Sequence, residues 1–205
     1  MPKYFVRNIA RYRIRGRSVA AQVLNLYMSR AHTGSKGCLT YDGDALDPIR
    51  ALNPEESVPV LLLGYEHFLW LFDDSKLKDR HGDNVIYASG LDFAIQVLAR
   101  KRGLRLMNDE LARLVRTYLT HPHPTLCLPP SIIVGLISKQ AGRLARAREL
   151  GPETAALLRR MEMVLKNWNR EDWGAMPPPL LARIQKALEL AAKKPLSCAR
   201  NGGKA

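Results

Sequence analysis

Five arginines stand within eleven positions near the start of the chain: Arg7, Arg11, Arg13, Arg15 and Arg17. No aspartate or glutamate precedes Asp42. Guanidinium groups at this density are donors for phosphate, whose oxygens accept the paired N–H bonds of an arginine fork. An acidic protein face, an anionic membrane or an import receptor offers the same attraction. A second cationic set is Lys139, Arg143 and Arg146, and a third is Arg159, Lys166 and Arg170. On a helix, Lys139, Arg143 and Arg146 fall within about 60° of one another, opposite the apolar stripe Ile133, Ile137, Ala141 and Leu144. Gly135, Gly142 and Ala145 flank those faces and would let another helix come close. The following helix repeats the pattern, with Leu157, Met161, Val164, Leu165 and Trp168 opposite its cations. Two such helices side by side would line a basic groove for phosphates.

Other chemistry is poorly provided for. His121, His123 and Cys127 form an H-x-H-x3-C cluster. That is not the spacing of a zinc site, so neither metal nor cofactor is expected. "HTGSKGCLT" gathers Gly, Ser and Lys, but Lys36 is followed by Gly37 and lacks the glycine that precedes the lysine of a phosphate loop. There is no G-x-S-x-G elbow and no convincing nucleophile–base pair, so the chain is read as a non-enzyme. A helix-turn-helix over 108–119 and 131–150 is rejected, because its connection contains "THPHPTLCLPP" instead of a turn of three or four residues. Gln140, Arg143, Asn167, Asn169 and Arg170 are types that read bases, and Tyr12 or Trp173 could stack on them, but nothing fixes them against a target.

The charge is segregated along the chain. The net value is +13, made of +8 over residues 1–41, −7 over 42–92 and +12 over 93–205. Segregated positive fields capture polyanions. The longest apolar run, Val58 to Phe72, is interrupted by Pro59, Gly64, Glu66 and His67, so no membrane span is expected. The three cysteines, Cys38, Cys127 and Cys198, make a poor disulfide framework and suit a reducing compartment. The first thirty residues lack the apolar stretch of a secretory signal; they are arginine-rich like a transit peptide, yet few hydroxyl residues precede Ser18. A cytoplasmic location is expected.

These side chains need elements to hold them. "ARYRIRGR" (10–17) alternates strictly, with Tyr12 and Ile14 on one parity and Arg11, Arg13, Arg15 and Arg17 on the other. A strand over 10–16 would put all four guanidinium groups on one face. Ser18 is placed to cap a helix striped by Val19, Val23, Leu26 and Tyr27. A short strand is expected at 38–41, inside a glycine-punctuated loop over 31–48. The segment 54–72 is core, either as one helix or as a strand over 58–63 running into a helix. Helices follow over 91–102, 108–119, 131–150, 152–168 and 178–193, the first stopped by Gly103.

The fold expected is therefore an α-rich α+β protein. A mixed N-terminal region, 1–83, with one or two short strands, packs with a predominantly helical region, 84–194, and 195–205 is a disordered tail. The function expected is non-catalytic nucleic-acid binding, DNA or RNA, as a regulator of transcription or an accessory subunit. The alternative is a subunit of a larger assembly or homo-oligomer whose basic face meets an acidic protein partner. It draws on the apolar surplus at 58–72 and the amphipathic helix at 178–193.

Overall fold

A computed structural model describes residues 12–33, 39–41, 44–72, 83–120, 130–167 and 178–193. Local signals start several helices as the sequence foretells. Ser18 Oγ accepts the backbone N–H of Ala21 and opens α1, Val19–Ser29. A short helix, α2, covers Asp47–Ala51. Asn53 and Glu56 then form a reciprocal capping box: each side chain accepts the other's backbone N–H at 2.8 Å. That box opens α3, Pro54–Phe72, one continuous helix despite Pro59. Pro59 sits on the exposed side, where the carbonyl it leaves unbonded can turn to water. Helices α4, Asp83–Ala99, and α5, Asn108–Thr120, follow. The chain ends in α6, Pro130–Ala147, α7, Pro152–Lys166, and α8, Pro178–Ala192.

The architecture of the described residues is thus helical, and the α+β expectation is overturned. Of the strand expected over 10–16, the described residues 12–16 show none: Tyr12 is helical and residues 13–18 carry no regular structure. The backbone pairing that does occur is an antiparallel ribbon of three residues a side, with Ala31 opposite Tyr41 and Thr33 opposite Leu39. It is too short to form a layer. Alternation at 10–17 reports which side chains are buried, and it does not require a neighbouring strand to bury them.

Packing follows the apolar faces. The principal pairs are α3 with α4, α6 with α8, α5 with α7, α7 with α8 and α1 with α3. Gly64 lies where α1 meets α3; a β-carbon there would make ordinary contact with Leu24, 3.5 Å away. The stripes expected on α5 and α6 are buried: Leu111, Leu114, Val115 and Tyr118, then Ile133, Ile137, Ala141 and Leu144. That of α1 is met in part: Tyr27 is buried and Val23 packs against the core, but Val19 and Leu26 are exposed. Its core face is Ala20, Ala21, Leu24, Tyr27 and Met28, while Val19 is 72% exposed. Apolar residues surround α1, so periodicity alone could not choose its face. The buried side chains form one continuous cluster from Tyr12 to Leu188. The segment 58–72 lies within it, as expected. No helix among the described residues is long and apolar enough to cross a membrane.

Candidate nucleic-acid interface

The arginine row rests on a backbone held at several points. Tyr12 is buried and stacks on Tyr87 with ring centroids 4.8 Å apart. Its carbonyl accepts the Nε2–H of His67 at 2.7 Å. A carbonyl can only accept, so this bond fixes the ring as the Nε2–H tautomer when it is neutral. Burial pulls the His67 pKa below the ordinary imidazole value, and the bond to Tyr12 opposes that pull. Ile14 is also buried, and Asn25 of α1 grips both of its backbone groups at 3.0 Å, accepting the N–H and donating to the carbonyl. The side-chain amide thereby makes the two bonds that a strand partner would make. Gln22 donates to the Arg17 carbonyl at 3.0 Å. Gly16, at φ +113°, ends the alternation and turns the chain toward α1.

Between these anchors Arg13, Arg15 and Arg17 are exposed. Their guanidinium groups make no ion pair among the described residues. Arg11 lies outside the described residues. Tyr12, weighed as a stacking platform, is spent on the core.

The cations of α6 divide. Arg143 is engaged internally: its Nε donates to Gln140 Oε1 at 3.1 Å, its Nη2 to the Leu106 carbonyl, and Glu149 lies 3.8 Å from Nη1. Gln140 itself is buried and clamps the segment before α5, accepting the Leu106 N–H and donating to the Leu104 carbonyl. This is the Asn25 device repeated. Lys139 and Arg146 are exposed and unpaired among the described residues.

On α7, Lys166 pairs with Glu162 at 2.6 Å. Lys166 first, then Gln185 at 3.0 Å, hold that carboxyl below the usual range. Arg159 is exposed and unpaired among the described residues, and Arg170 lies outside them. Among the principal packed pairs, α6 and α7 each meet α8 and not one another.

Two clefts border these elements. One, about 470 Å³, lies between α3 and α5. Its polar side chains are already engaged. Glu66 takes a bidentate pair from Arg113, Arg116 pairs with Glu153, His67 holds Tyr12 and stacks on Trp70, and Thr117 and Thr120 bond to helix carbonyls. The other, about 300 Å³, lies where α6 and α8 end and carries Arg146, Arg148 and Lys193. None of these three is ion-paired among the described residues. Arg148 and Lys193 escaped the sequence reading, because a helix drawn to residue 150 hides the turn at 148 and because α8 has no sequence signal for its partner.

Among the described residues no group of three or more His, Cys, Asp or Glu side chains is placed to hold a metal ion. His121, His123 and Cys127 lie outside those residues. The fold is a helical assembly with basic, solvent-facing side chains. No protein-family model matches the chain, and neither a similar curated protein nor a similar solved structure is found.

Proposed function

We propose that this protein is a non-catalytic nucleic-acid-binding protein, acting as a regulator or accessory subunit, that grips the phosphate backbone. One observation carries the reading: Arg13, Arg15 and Arg17 are exposed and unpaired among the described residues, on a segment tied down through Tyr12, Ile14 and the Arg17 carbonyl. Anchoring matters because a held segment loses less conformational freedom on binding. Arg13 and Arg15 flank Ile14, whose two backbone groups are both bonded by Asn25, so both side chains project from a held backbone. The net charge of +13 adds long-range attraction. Lys139, Arg146 and Arg159 supply further exposed contacts, whereas Arg143 and Lys166 are engaged by the protein itself. The features that favoured a protein-partner role are internal: 58–72 is core, and α8 packs on α6 and α7.

The test is fluorescence anisotropy with duplex DNA, single-stranded DNA and RNA over a salt series. Wild type should bind with a steep negative slope of log affinity against log salt. Replacing Arg13, Arg15 and Arg17 together by alanine should lower that slope by about two to three on duplex, at about 0.9 per phosphate contact. Absence of binding at low salt, or an unchanged slope in the variant, overturns the reading.

A further inference from the structure

Helices α6 and α8 run parallel. Gly135 faces Leu180, and ten residues later Ala145 shares a cleft with Leu190 and Ala191. The offset of 45 residues is constant, so both helices end at one place. Each C-terminus carries about half a negative charge from its macrodipole, roughly one charge for the pair. On α6 that charge is further satisfied by the chain itself: the N–H of Glu149 bonds the Leu144 carbonyl at 2.9 Å and the N–H of Arg148 bonds that of Ala145 at 3.2 Å. Three full positive charges, Arg146, Arg148 and Lys193, stand around this spot, and no acidic side chain among the described residues lines the cleft. Balancing the helix ends thus leaves, among the described residues, an excess of about two positive charges. Arg148 also holds φ +61°, the left-handed position that closes a helix and that glycine ordinarily fills. Ala145, Leu150, Leu190 and Ala191 give the cleft an apolar floor, and its 300 Å³ lies at the lower end of small-molecule sites.

We propose that this cleft binds a phosphate monoester dianion, with Arg146, Arg148 and Lys193 on its oxygens and the esterified body on the apolar floor. The excess of two charges matches a dianion, and arginine forks match phosphate geometry. The site is separate from the arginine row, and it does not depend on the reading of that row. The ester has two possible sources, a free nucleotide-sized molecule or the terminal phosphate of a strand.

The experiment uses the full chain at pH 7.5, where a phosphate monoester with a second pKa of about 6 is mostly dianionic. A nucleoside monophosphate, the matching unphosphorylated nucleoside and inorganic phosphate are titrated by calorimetry into wild type, Arg148→Gly and Lys193→Gln. The monophosphate should bind at least about tenfold more tightly than either fragment, and each variant should lose about tenfold, the scale of one charged hydrogen bond. Arg148→Gly should melt at a higher temperature than wild type, so its loss of affinity cannot be loss of fold. A second arm compares a 5′-phosphorylated strand with its 5′-hydroxyl form. A gain from the terminal phosphate that disappears in Arg148→Gly supports a strand end as the source; binding confined to the free monophosphate supports a small ligand. Failure of every phosphomonoester to bind, or equal binding in wild type and both variants, overturns the proposal.

Discussion

Single side chains set much of this protein's behaviour by the partner each is given. His67 is the clearest case. Burial favours its neutral form, and its Nε2–H is committed to the Tyr12 carbonyl. Because its folded pKa is depressed, its contribution to stability is present above the ordinary imidazole value of about 6.5 and is lost as pH falls through the lower folded value. Urea unfolding between pH 7.5 and 5 should show wild type losing stability on acidification in that window. His67→Gln, which keeps an N–H donor but does not titrate, should lose less; parallel curves for the two proteins would contradict this. Arg143 shows the opposite lesson about cations. Its type and its place on α6 suggested a phosphate ligand, yet its guanidinium supports the Leu106 backbone and Gln140.

At the scale of elements, amide side chains take the place of strands. Asn25 holds Ile14, and Gln140 holds Leu104 and Leu106. Asn108 does related work between helices: its Oδ1 accepts the Gly151 N–H at 2.8 Å and ties the start of α5 to the start of α7. A β-carbon at residue 151 would stand 2.9 Å from the Asn108 amide, so a side chain there would push that amide out of this bond. Asn25→Ala would leave two backbone groups of a buried residue without their partners, a cost of about 2 kcal/mol. It should lower the stability measured by denaturant titration and, by loosening the arginine row, weaken nucleic-acid binding although no arginine is changed. Retained affinity in a folded Asn25→Ala protein would show that anchoring is unimportant to binding.

For the whole molecule, the continuous core is the governing fact. Tyr12 packs near Tyr87, α3 packs on α4 and on α5, and α4 also meets α6, so apolar contact runs through the chain from end to end of the described residues. Thermal or urea unfolding should therefore follow one transition, with circular dichroism and tryptophan fluorescence giving the same midpoint. Two separated midpoints would mean that the regions on either side of residue 83 fold as independent units. The charge is organised at this scale too. Most ion pairs that form are exposed and each contributes little to stability, whereas the unpaired cations shape the field that an approaching polyanion meets.

By itself the sequence determined where apolar and charged groups must go. The alternation at 10–17 separated Tyr12 and Ile14 from the arginines by parity, and of these residues Tyr12 and Ile14 are buried while Arg13, Arg15 and Arg17 are exposed, because burial of apolar surface follows residue type. The Asn53–Glu56 box and the Ser18 cap were local, so helix starts were legible or nearly so. Only the tertiary structure decided what met these groups. Nothing near residue 14 announces that an amide eleven residues away replaces a strand, and nothing in 131–150 announces that its partner is a parallel helix 45 positions later. The cationic cleft exists only because two helices end together. Periodicity reports which face is buried, but the identity of the covering element depends on chain-wide packing, which no local window contains.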